Sequence, residues 1–217
     1  MELDVRRTVD GIPVVFHDRK INRLLNGKGK VINYSLSELK SFRYKDGQEI
    51  LTLEEYFTLA KGKIKSILDL KSRGIESEIY KLIRKYNMEK EVIIQSSSGK
   101  ILNAFYSIAP ELDYAIYRLI VGNVGRILGK YLGLHRIIAP LSYRLLVKPY
   151  KIQYISLDGQ FMYEEFNSII HKKGIKIILG ALRTERFLKY AKKWKVDIIN
   201  ADNPKEIKAQ LRKNSLL

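Results

Sequence analysis

Apolar positions in this chain fall into two kinds of block: short runs rich in isoleucine, valine and leucine, and longer stretches with apolar residues three or four apart. Short runs bounded by turn residues predict strands, and helical spacing predicts amphipathic helices. Strands are expected over residues 2–5, with 14–16 as an antiparallel arm, then over 64–70, 91–95, 112–117, 153–157, 175–179 and 196–201. Helices are expected to start at Ser35 and at Thr52, each followed three residues later by a glutamate, Glu38 and Glu55, in the spacing of a capping box. Further helices are expected over 75–86, 100–108, 163–172 and 184–194, with a last one opening at Pro204, a position where the missing N–H costs nothing. Residues 123–150 read as two helical pieces broken around Gly133 and Pro140.

Strands separated by single helices imply parallel crossovers, and so an α/β fold. The series holds seven strands besides the arm. A (β/α)₈ barrel typically takes about 250 residues, or about 31 per unit. A chain of 217 residues therefore predicts such a barrel short of one unit. An open doubly wound sheet is the competing architecture, and the lack of a glycine-rich turn between a strand and its following helix counts against it. No Pro/Gly/Ser-rich linker divides the chain, so residues 1–217 are expected to form one domain.

Composition narrows the functional classes. With no cysteine, a disulfide scaffold and a thiolate metal site are both excluded. No apolar run approaches the roughly 20 residues of a membrane span, and no leader pattern follows Met1, which together predict a cytoplasmic protein. The net charge of +17 raises nucleic acid as a partner. The lysines are scattered rather than clustered in a recognisable module, so nucleic acid is not expected. The same charge would draw anionic phosphodiesters, or hold the chain peripherally at an anionic membrane. It also fits the lysine-rich surface of a heat-adapted protein.

The chemistry concentrates at strand ends, where parallel α/β folds place their working residues. Glu2 and Asp4 are two apart, so in a strand they share a face. Such a pair is more often a solvated strand end than a metal site. Asp69 changes the balance, because it stands alone between Leu68 and Leu70 and a buried carboxylate needs a cationic partner. That partner is either Lys71, on the same face, or a hard cation. His17 ends the arm; it is either a histidine bonded to Asp18 and nothing more, or a proton carrier suited to neutral pH.

Three motifs carry a resemblance to the glycerophosphodiester phosphodiesterase family. They are Glu2-Leu3-Asp4-Val5, Thr8-Val9-Asp10-Gly11 and Val14-Val15-Phe16-His17-Asp18, with Asp202-Asn203-Pro204 echoing a closing motif. The resemblance implies a TIM-type (β/α)₈ barrel of the phospholipase-C-like phosphodiesterase kind, here without its first βα unit. It implies hydrolysis of a glycerophosphodiester to an alcohol and glycerol 3-phosphate. By motif position it implies Glu2, Asp4 and Asp69 as ligands of a divalent cation, Mg²⁺ or Ca²⁺. His17 would be an acid/base residue and Lys71 a phosphate ligand.

Departures from the pattern are equally specific. The His-Arg-Gly and Pro-Glu-Asn-Thr segments that open the family, with a first acid/base histidine, are not in this sequence. Neither His135 nor His171 lies in a motif that replaces it, and His171 near the end of a helix has an ordinary role with the helix dipole. Asp69 stands where the family has glutamate, and Gln95-Ser96 where it has Ser-Phe. Trp194 falls in a helix as a core position. These departures keep a second expectation open, a catalytically degenerate barrel that binds phosphate or lipid headgroups. A barrel missing one strand exposes two edges, which predicts a homodimer.

Overall fold

The computed structural model describes residues 1–117, 144, 147, 150–158, 164–182, 191 and 195–213. The chain divides into two compact units, Met1–Asp113 and Tyr114–Leu217.

In the first unit, β1 (Glu2–Arg7) lies between β2 (Pro13–Val15), antiparallel to it, and β4 (Ser66–Leu70), parallel to it. β5 (Val92–Ser96) continues the parallel side, and β3 (Leu51–Thr52) pairs antiparallel with β2. Period-two alternation decides what each strand offers: Leu3 and Val5 of β1 are buried among apolar neighbours, while Glu2, Asp4 and Arg6 take the other face. All of β4 is buried, as befits a strand with neighbours on both edges.

The turn from β1 to β2 is built on Thr8. Its N–H and hydroxyl both donate to the Ile12 carbonyl at 3.1 Å, and its hydroxyl accepts from Ile12 N at 2.8 Å. Gly11 carries φ +83, a conformation that a side chain would strain. Asp10 accepts from Leu36 N and so ties this turn to α1 (Leu36–Leu39). Residues 18–50, for which the hydrophobic pattern predicts only the helix start at Ser35, close a small core against Val14 and Phe16. Val14, Phe16, Ile21, Leu25, Val31, Leu39 and Ile50 are buried together, flanked by Tyr34, Phe42 and Tyr44.

Both expected capping boxes are present, at Ser35 with Glu38 and at Thr52 with Glu55, the latter opening α2 (Leu53–Ala60). α3 (Glu76–Tyr86) ends on Asn87 in the left-handed conformation and buries Ile79 and Ile83. α4 (Gly99–Tyr106) buries Ile101, Leu102 and Phe105. The strand expected from residue 64 begins at Ser66, because Ile64 is exposed and its N–H is spent on the α2 end at Ala60.

In the second unit, β6 (Asp113–Tyr117), β7 (Tyr154–Asp158), β8 (Lys176–Leu182) and β9 (Ile198–Ala201) pair parallel in that order. α5 (Glu164–Lys172) follows β7, with Phe166 and Ile170 buried, and α6 (Pro204–Lys213) follows β9. Asn203 caps α6 by accepting from Glu206 N at 3.3 Å. The helical readings over most of 123–150 and most of 184–194, with His135 and Trp194, fall outside the described residues. No helix among the described residues is long and apolar enough to cross a membrane.

Candidate functional site

The parallel register of β1, β4 and β5 brings the site together. Asp4 sits opposite Asp69, and Asp69 opposite Gln95, on adjacent strands of one face. Glu2, two residues before Asp4, joins them: each of Glu2, Asp4 and Asp69 offers a carboxylate oxygen, and these oxygens all lie within 4.8 Å of one another. Such a group is an all-oxygen donor set of the kind a hard divalent cation takes. Among the described residues it is the one cluster of acids or histidines so placed.

Lys71 lies in the middle of this charge. Its Nζ is 2.7 Å from Asp69 Oδ2 and 3.1 Å from Asp4 Oδ1, so one ammonium bridges two carboxylates. Burial works against the Lys71 charge, but the pull of Asp69 and Asp4 outweighs it and holds its pKa above the ordinary lysine value. At Asp69 burial wins instead. It pushes the carboxyl pKa up, with the Asp4 charge adding to it, against Lys71 and a hydrogen bond from Gln95. The Asp69 side chain is only 5% exposed, and its Oδ1 is buried without a hydrogen-bond partner. A buried carboxylate with one oxygen unbonded and its charge only partly countered is a fitting ligand for a cation.

His17 enters from β2. The antiparallel register runs one residue past Val15 through a Phe16 N to Asp4 O bond of 2.9 Å, so His17 follows directly on the residue paired with Asp4. Its Nδ1 lies 2.6 Å from Asp18 Oδ1, and Arg23 grips both oxygens of the same carboxylate at 2.7 and 2.8 Å. Hydrogen bonds from Arg23 and then His17 hold the Asp18 pKa far below the usual carboxylate range. A carboxylate on Nδ1 fixes the tautomer in which that nitrogen carries the proton, and leaves Nε2 as the working nitrogen. The imidazole is 67% exposed, open to a ligand.

Two further residues support the site; the sequence pattern did not single out the first and gave the second only as a departure from the family. Arg6 shares the face of Glu2 and Asp4, and its guanidinium donates to the His17 carbonyl at 3.0 and 2.7 Å. Its place in period with Glu2 and Asp4 was the available signal. Ser96, fully buried, donates to the Leu70 carbonyl at 2.8 Å and locks the end of β5 to β4. His171 belongs elsewhere: its Nε2 lies 3.2 Å from Asp197 Oδ2, an oxygen that also accepts from Ile177 N.

Comparison with known proteins bears on the family and the fold. The family model described as the glycerophosphoryl diester phosphodiesterase family matches residues 1–206. A glycerophosphodiester phosphodiesterase of Caldanaerobacter subterraneus is 36% identical over 129 residues, which are 54% of this chain and 53% of that protein. This chain thus spans about half the length of the curated relatives it matches. A glycerophosphoryl diester phosphodiesterase structure from Parabacteroides distasonis is 26% identical with a TM-score of 0.67, covering 98% of this chain and 75% of that one. An Oleispira antarctica phosphodiesterase, solved in complex with the product sn-glycerol-3-phosphate, is 19% identical with a TM-score of 0.74, covering 97% and 84%. These likenesses show a TIM-type (β/α)₈ fold class.

Proposed function

This chain belongs to the glycerophosphoryl diester phosphodiesterase family, and from that premise we propose that it hydrolyses glycerophosphodiesters to an alcohol and glycerol 3-phosphate, with a divalent cation, Mg²⁺ or Ca²⁺, held by Glu2, Asp4 and Asp69. The observation that carries the reading is the convergence of those carboxylate oxygens within 4.8 Å. The product named for the Oleispira antarctica relative supports the substrate class.

Each residue has a derivable part. Glu2, Asp4 and Asp69 supply negative charge that a cation neutralises. A bound cation would withdraw electron density from the phosphate oxygens and so ease attack at phosphorus. Lys71, which bridges Asp4 and Asp69, would be the ammonium that faces the anionic phosphate. His17, with Nδ1 held by Asp18, takes or gives a proton at Nε2. Arg6 fixes the backbone at His17 and so its position relative to Asp4.

A second reading, phosphate or headgroup binding without turnover, is favoured by one observation. Among the described residues His17 is the only histidine joined to the strand that carries Glu2 and Asp4, through its carbonyl and Arg6, while hydrolysis needs a proton both removed and delivered. The test is release of glycerol 3-phosphate from a glycerophosphodiester, with and without a chelator. Hydrolysis is expected to stop on chelation, to return with Mg²⁺ or Ca²⁺, and to fall about 10²–10⁴-fold in His17→Ala. Calorimetric binding of glycerol 3-phosphate with no turnover under any divalent ion would establish the second reading instead.

A further inference from the structure

Gln95 stands beside Asp69 in the parallel register of β4 and β5, and it is only 4% exposed. Its Nε2 donates to Asp69 Oδ2 at 3.2 Å, so the carboxamide is aimed at the carboxylate cluster. Its Oε1 is buried without a hydrogen-bond partner, as is Oδ1 of the adjoining Asp69. A buried oxygen that has lost its water and gained no donor is unfavourable, and native interiors keep few of them. Two such oxygens on neighbouring side chains of one face, beside three converging carboxylates, have a common remedy. A cation among the carboxylates would satisfy Asp69 Oδ1 directly, and Gln95 Oε1 once the carboxamide turns toward it.

Side-chain reach makes the arrangement workable. Asp69 is short and already spends Oδ2 on Lys71 and Gln95. The longer carboxamide extends past it, and a half-turn about its last bond exchanges the nitrogen and oxygen ends in nearly the same volume. In that orientation the group presents a neutral oxygen to an ion held by its neighbours.

We propose, on the reading that Glu2, Asp4 and Asp69 hold a divalent cation, that Gln95 supplies a fourth oxygen ligand through its carboxamide carbonyl and tunes the site toward a calcium-sized ion. Calcium takes about six to eight oxygens, amide carbonyls included, in flexible geometry, whereas magnesium keeps several of its waters in a tight octahedron. A neutral oxygen adds to ligand number without adding charge. It therefore helps the larger ion more than the smaller one.

Calorimetric titration of the metal-free chain with CaCl₂ and with MgCl₂ tests this, using wild type, Gln95→Met, Gln95→Glu and Asp4→Asn. Gln95→Met removes the oxygen at similar volume. It should weaken Ca²⁺ binding about tenfold, leave Mg²⁺ binding nearly as it was, and change the melting temperature of the metal-free chain little, since the hydrogen bond lost at Asp69 Oδ2 is offset by removal of an unbonded buried oxygen. Gln95→Glu, which restores an oxygen, should recover Ca²⁺ binding. An unchanged Ca²⁺ affinity in Gln95→Met, or a parallel loss for both ions, overturns the assignment. If Asp4→Asn abolishes binding of both ions while Gln95→Met alters neither, the carboxylate site stands and the Gln95 ligand fails. If wild type binds neither ion, both fail together.

Discussion

Asp69, Asp4 and Lys71 set two carboxylates against one shared ammonium. The ammonium compensates two carboxylates at 2.7 and 3.1 Å, so removing it leaves like charges facing each other. Lys71→Met should therefore destabilise the metal-free chain by on the order of 2 kcal/mol, less than for a fully buried pair because Lys71 is partly exposed. Added Ca²⁺ should raise the melting temperature of the variant more than that of wild type, since the ion no longer competes with an ammonium. Thermal melts with and without the ion check both statements. Asp18 gives a prediction in pH. Its folded-state pKa is depressed, so its contribution is present above the ordinary aspartate value of 3.8 and is lost as pH falls toward the lower folded value. Asp18→Asn should accordingly melt below wild type at neutral pH, with the gap closing as pH falls below 3.8. The same variant frees the His17 ring and should slow turnover while leaving cation affinity in place.

Elements were legible where a local chemical rule fixed them. The capping boxes at Ser35 and Thr52 need only a hydroxyl and a glutamate three residues on, and both formed. Thr52 Oγ1 accepts from Glu55 N at 3.1 Å and Glu55 Oε2 accepts from Thr52 N at 2.8 Å; Lys40 pairs with the same glutamate. Thr52→Ala should cost about 1 kcal/mol of stability by denaturant unfolding, with an unchanged slope. The pairing of Leu51 and Thr52 with β2 was not legible, because two residues carry no period and the partner lies far off in sequence. Residues 18–50 were opaque for a related reason. Their core is assembled from single apolar residues in short 3₁₀ turns, Ile21–Arg23 and Val31–Asn33, and from isolated bridges, none of which repeats.

For the molecule as a whole, the alternation of strands and helices was enough to indicate the α/β class; strand period put Glu2 and Asp4 on one face, and it took the family resemblance to join Asp69 to them as a ligand set. The bridging of Asp4 and Asp69 by Lys71 was half legible: the shared face gave one contact, but only the register between β1 and β4 gives the other. Arg6 escaped notice because an arginine in a basic chain carries little information by type. The net charge of +17 acts at this largest scale, attracting anions by a field that salt screens. The KM for an anionic glycerophosphodiester should rise with ionic strength while kcat stays nearly constant. The central claim is most directly tested by a crystal of the chain grown with Mn²⁺ and its anomalous difference map. The account predicts a peak within coordinating distance of the Glu2, Asp4 and Asp69 oxygens, with the Lys71 ammonium moved off the two carboxylates it bridges. A map with no peak there, and Lys71 still joining Asp4 to Asp69, would contradict it.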